Sequence, residues 1–138
     1  MTAGLIWQDG KVLITKRPEG SHLAGFWEFP GGKQEPNETL RACLERELRE
    51  ELGIRVQADR HLISVDYEYD TKFITLHVFH CTGLTDRPVA LEGQESRWVD
   101  PVSLTSYTFP PPDKAVIDAL RSEHGDGTSI NPADTRAR

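Results

Sequence analysis

At 138 residues, with 37% hydrophobic and 28% charged side chains, the chain has room for one domain with a real core and not for two. A net charge of -6 excludes the broad basic footprint of a protein that binds long nucleic acid. No stretch approaches the roughly 18 apolar residues of a membrane span, so no membrane association is expected.

Leu5–Trp7 and Lys11–Lys16 read as two short strands joined through Gln8-Asp9-Gly10, where Asp-Gly is a hairpin signal. Residues 18–38 are rich in glycine and proline and predict a long, functional loop with a short strand at Trp27–Phe29. A helix follows over Thr39–Leu52, with Asn37 as its N-cap, Glu38 in its first turn and Gly53 at the left-handed C′ position. Leu62–Tyr69 and Lys72–His80 form a hairpin across Asp70-Thr71, and its second arm is apolar on both faces, as a buried strand is. Arg97–Val99 is a short strand, and Asp113–Arg121 is a helix after Pro110-Pro111-Pro112. From Glu123 onward the composition is that of a disordered tail, giving a domain over residues 1–122 and a tail over 123–138. Strands and helices mix without regular alternation, so the fold class is α+β, an α/β/α sandwich. Cys43 and Cys81 lie far apart and outside any Cys-x-x-Cys pattern. With no basic-then-apolar leader at the start, a reduced, cytoplasmic protein is expected.

The helix carries an anomaly. Leu40, Cys43, Leu44, Glu47, Leu48 and Glu51 share one face, which should meet the core, while Arg41, Glu45 and Arg49 lie opposite at i,i+4 spacing. Two carboxylates therefore intrude into the inward stripe, and Glu50 flanks it. Periodicity alone allows two readings. Either these carboxylates pair with buried arginines or sit at a wet helix edge, or they hold divalent cations, which offset the several kcal/mol that each buried ion costs.

The preceding residues sharpen the choice. Gly32 is followed by five residues and Glu38, then by seven residues and Arg46-Glu47-Leu48-Arg49-Glu50-Glu51-Leu52-Gly53-Ile54. This resembles the signature box of the Nudix hydrolases at every defined position. Glu47, Glu50 and Glu51 at i, i+3 and i+4 put three carboxylates on one side of a helix, able to share Mg²⁺ ions. Glycines 31 and 32 let the backbone approach the metal, with a Gly31 carbonyl as a further ligand. Glu38 and Arg46 are expected to brace the loop onto the helix, with Gly32 and Gly53 structural.

The likeness extends over residues 3–121. Leu23–Lys33 is similar to the segment leading into the box in the MutT-type branch, whose members convert oxidised nucleotides, chiefly 8-oxo-dGTP, to the monophosphate and pyrophosphate. The resemblance implies a mixed sheet between helices and a Mg²⁺-dependent enzyme, with Mn²⁺ able to substitute, acting on a small nucleotide as a monomer or homodimer. It implies Glu92, in Leu91–Glu95, as an extra glutamate at the metals, Arg17 and Lys72 near the phosphates, and Phe29 beside the base. Between Glu47 and Glu92 as general base, Glu47 is the choice, with Glu92 a mobile ligand that orients the water. Asp113 falls where the branch carries a base-reading Asn. An ionised Asp only accepts hydrogen bonds, which suits the amine of cytosine, whereas a buried protonated one still donates. A pyrimidine-directed enzyme and a non-catalytic nucleotide-binding module are the alternatives, and Asp113 as N-cap of the last helix is its plain structural role.

Overall fold

The computed structural model describes residues 1–125. Seven strands form one mixed sheet: β1 (Thr2–Gln8), β2 (Lys11–Lys16), β3 (Trp27–Glu28), β4 (Gly31–Gly32), β5 (Gln57–Tyr69), β6 (Lys72–Thr82) and β7 (Ser96–Val99). The main path runs β3-β2-β1-β6-β5, with β4 paired to β1 and β7 to β2. Only β1 and β6 among the pairs run parallel, Ala3 facing Val78 and Leu5 facing His80. Helix α1 (Leu40–Leu52) covers one face and α2 (Pro111–Gly125) the other, which is the expected sandwich.

Alternation along the strands builds both layers. Leu5, Val12, Ile14 and Val78 pack toward Leu104, Val116, Ile117 and Leu120, while Ile6, Leu13, Phe79 and Cys81 pack toward Leu44, Leu48 and Leu52. A strand buried on both faces must be apolar at successive positions, which is why β6 lacks a polar side in sequence.

Several boundaries differ from expectation. The N-cap of α1 is Thr39, whose hydroxyl accepts from the Ala42 N–H at 3.0 Å; Asn37 instead takes a left-handed φ of 64° in the loop before it. Removing that oxygen by Thr39→Ala should lower stability by about 1 kcal/mol, measurable by urea unfolding, with turnover little changed. The i,i+4 partners Arg41 and Glu45 do not pair as expected. Arg41 donates to the Asp59 carbonyl and lies over the Phe79 ring, and Glu45 accepts from the Ala58 N–H at 2.8 Å, tying α1 to the irregular start of β5.

Helix α2 runs past the expected tail boundary at Glu123. Trp7 Nε1–H donates to His80 Nδ1 at 3.0 Å, so the second nitrogen carries the proton toward the Glu123 carboxylate at 3.1 Å, and Arg60 joins from 2.7 Å. Residues 126–138 of the expected tail lie outside the described residues. No helix among the described residues is long and apolar enough to cross a membrane.

Candidate active site

The glycine-rich loop and α1 are locked together by one side chain. Arg46 donates to both oxygens of Glu38, at 2.6 and 3.0 Å, and to the Lys33 carbonyl at 3.0 Å. The same guanidinium reaches Glu47 at 3.1 Å and Glu50 at 3.2 Å. Hydrogen bonds from Arg46, and then from the Glu35 N–H, hold the Glu38 carboxyl down at about 2. Glu38 and Arg46 therefore make the brace that the resemblance implied. Gly53 has φ 66° and donates to the Arg49 carbonyl, closing α1 as expected.

Beyond the brace the carboxylates gather. Burial, and then the charges of Glu47 and Glu92, a hydrogen bond with Glu47 and the charge of Glu28, push the Glu51 carboxyl up to about 8. Glu47 packs so tightly against Gly32 that a Cβ there would overlap its carboxylate. Glu50 stands more exposed, on the Arg46 side. The loop bearing Glu92 is pinned to the C-terminal end of α1: Val89 N–H donates to Leu52 O at 2.9 Å and Leu91 N–H to Glu51 O at 3.0 Å. Glu92 thus meets Glu51 because the loop caps the helix, which restricts the mobility expected of it.

Among the described residues no group of three or more His, Cys, Asp or Glu side chains is already arranged to hold a metal ion. The donor set nevertheless fits a hard divalent ion. It is all oxygen, Glu51 has no cationic partner among the described residues, and the repulsion that raises its carboxyl is what such an ion relieves. The Gly32 carbonyl accepts from the Thr2 hydroxyl at 3.1 Å, and Gly31 pairs with Ala3 in β4.

A second group of candidate residues is aromatic. Phe29 is buried and stacks on Phe109 at 5.2 Å, and Trp27 N–H donates to the Thr108 carbonyl at 2.8 Å, drawing the 107–113 segment onto β3. Asp113 lies inside the first turn of α2, which begins at Pro111, so it is not the cap. Its carboxyl is buried, and burial first and the Glu28 charge second push it up to about 7. Arg17 donates to Glu28 at 2.9 Å and to the His22 carbonyl. Lys72 stands exposed at the tip of the β5–β6 hairpin, after Asp70 and Thr71 with their positive φ, and its register partner Tyr69 packs on His22, whose carbonyl accepts from Arg17. Two residues missed in the sequence belong here. Glu28 stands in β3 between two buried aromatics, and burial and then the charge of Asp113 raise the Tyr67 hydroxyl. A lone Glu between core aromatics was the available signal for the first; Tyr67 in an alternating strand offered none.

The NUDIX domain model matches residues 2–119. The chain is 39% identical over 120 residues to the CTP pyrophosphohydrolase of Escherichia coli K12, covering 87% of this chain and 89% of that one. It is 36% identical over 124 residues to the 8-oxo-dGTP diphosphatase of Haemophilus influenzae, covering 89% and 91%. The solution structure of the Escherichia coli ORF135 protein superposes with a TM-score of 0.83 at 36% identity, covering 94% of this chain and 92% of that one. The chain belongs to the Nudix family and is a hydrolase of phosphorus-containing anhydrides.

Proposed function

We propose that this enzyme hydrolyses nucleoside triphosphates to the monophosphate and pyrophosphate, with oxidised nucleotides such as 8-oxo-dGTP as its substrate class. The observation that carries the reading is the cluster of Glu51 with Glu47 and Glu92, in which Glu51 has no cationic partner among the described residues, together with the stacked Phe29–Phe109 pair and the buried Asp113. Mg²⁺, or Mn²⁺ in its place, would be held by Glu47, Glu50, Glu51, Glu92 and the Gly31 carbonyl, and supplies charge for phosphate oxygens and acidity for a water. Glu47 takes the proton, Glu92 orients the water, and Arg17 and Lys72 face the phosphates. Phe29 flanks the base and Asp113 reads it. The enzyme works in the cytoplasm, as a monomer or homodimer.

A second reading, a CTP or dCTP pyrophosphohydrolase, is favoured by Asp113 itself. With its carboxyl raised to about 7, Asp113 accepts from cytosine's amine when ionised and donates to a base carbonyl when protonated. A panel of normal and oxidised nucleotides hydrolysed in ¹⁸O-water tests both. Preference for 8-oxo-dGTP or for CTP decides the base. Label in pyrophosphate is expected from attack at the β-phosphorus. Label in the monophosphate would reverse the placement, and nucleoside diphosphate with phosphate as products would refute the reading.

A further inference from the structure

The glycine-rich loop has no side chain of its own at Gly31 and Gly32, so neighbouring elements must fix its place. It runs hard against both of them. A Cβ on Gly31 would lie 2.0 Å from the Thr2 carbonyl oxygen, and one on Gly32 would lie 2.3 Å from the carboxyl carbon of Glu47. The Gly32 backbone is therefore the wall on which the Glu47 carboxylate rests. The strand pairing that holds this wall is short. β4 has two residues, paired as Thr2 with Gly32 and Ala3 with Gly31.

A side-chain relay adds a further link. Thr2 Oγ1 has one proton and donates it to the Gly32 carbonyl at 3.1 Å. Its lone pairs then face the Cys43 thiol at 3.4 Å, so donation runs from Cys43 to Thr2 to Gly32. Burial pushes the Cys43 thiol up, which keeps it protonated for this role. The thiol also lies 3.8 Å from the Gly32 carbonyl itself, a weaker contact than the hydroxyl's. Thr2 and Cys43 are both buried, where a carbonyl that loses its donor is left unsatisfied. Packing alone does not call for a hydroxyl here, since valine has nearly the same shape and buries no polar atom.

We propose that Thr2 is a positioning residue of the active site: its hydroxyl clamps the Gly32 carbonyl, and through the Gly32 backbone holds the Glu47 carboxylate where it takes the proton. Thr2 acts through Gly32 and not on the substrate. The assignment rests on the reading of Glu47 as proton acceptor given above. A clamp on Glu47 separates experimentally from a general loss of stability, because the clamp has nothing to act on once the Glu47 carboxylate is gone.

The test is steady-state hydrolysis of a nucleoside triphosphate at saturating Mg²⁺ by the unsubstituted enzyme, Thr2→Val, Thr2→Ser, Glu47→Gln and the Thr2→Val/Glu47→Gln double variant. Thr2→Val should lose about 10-fold in kcat with KM little changed, within the ~10²-fold that a misplacement of about 1 Å can cost. Thr2→Ser, which keeps the hydroxyl, should restore most of that loss. In the Glu47→Gln background Thr2→Val should cost little more. Full kcat in Thr2→Val, no recovery in Thr2→Ser, or the same fold loss with and without the Glu47 carboxylate overturns the proposal and leaves the triphosphatase reading standing. Should Thr2→Val fail to fold, Thr2→Ala takes its place in the same comparisons. If the unsubstituted enzyme hydrolyses no nucleoside triphosphate, the triphosphatase reading falls by itself. Mn²⁺ affinity then reads the clamp, because Glu47 is also placed among the metal ligands. Thr2→Val should bind Mn²⁺ a few-fold more weakly than the unsubstituted protein and Thr2→Ser should not, and equal affinity in all three overturns the proposal.

Discussion

Glu51→Gln should destroy turnover and at the same time stabilise the metal-free protein. The loss of activity is expected to exceed the ~10–100-fold typical of removing a group that merely supports a metal ligand. The stabilisation follows from the carboxyl's environment, since burial and the charges of Glu47, Glu92 and Glu28 push it up to about 8 against an ordinary value of 4.5. The folded chain therefore holds this proton more tightly than the unfolded one. From this group, metal-free stability is highest below about pH 4.5 and falls as pH rises toward about 8. Asp113, raised from 3.8 to about 7, adds a fall of the same sign between those values. A glutamine at position 51 removes the first contribution, so in EDTA at pH 8 the variant should melt a few degrees above the unsubstituted protein, with a shallower pH slope. Unchanged turnover at limiting Mg²⁺ would contradict the assignment, as would a variant that melts lower at pH 8.

The second large effect concerns the proton acceptor. Glu47 is held by Arg46 at 3.1 Å, packed against Gly32 and hydrogen-bonded with Glu51, so its carboxylate is fixed between the brace and the cluster. Glu47→Gln is expected to keep near-normal substrate affinity and to lose on the order of 10²–10⁴ in kcat, the scale of general-base removal. Glu92→Gln should lose less, with more of the defect in metal dependence. The pinning of Val89 and Leu91 to the end of α1 favours this division, because it sets Glu92 beside Glu51 rather than on a freely moving flap. If Glu92→Gln is the more crippled variant and excess Mg²⁺ does not rescue it, the two roles exchange.

The parts legible in sequence were those with local periodicity. The inward carboxylates of α1 and the left-handed Gly53 follow from spacing along one helix and its caps, and the brace from Glu38 to Arg46 follows from the resemblance to the Nudix box. What escaped depended on distant partners. Glu123 reads as tail by composition, yet it stays helical where Arg60 and His80, far away in sequence, face it. The start of β5 at Gln57 is hidden because register shifts between Ala58 and Ile63 break the two-residue period. Asn37 and Thr39 are both good caps, and the choice fell to Thr39 because Asn37 is spent on a positive φ. Glu28 escaped because one carboxylate in a two-residue strand has no period at all, and its partner Arg17 lies on another part of the chain.

The central claim is that the inward carboxylates of α1 are a divalent-cation site. Titrating Mn²⁺ into the protein and following free ion by electron paramagnetic resonance tests it without reference to any substrate. The unsubstituted protein should deplete free Mn²⁺, Mg²⁺ should compete for the same sites, and Glu51→Gln should bind at least ~10-fold more weakly. Equal Mn²⁺ affinity in the unsubstituted protein and in Glu51→Gln would contradict the account.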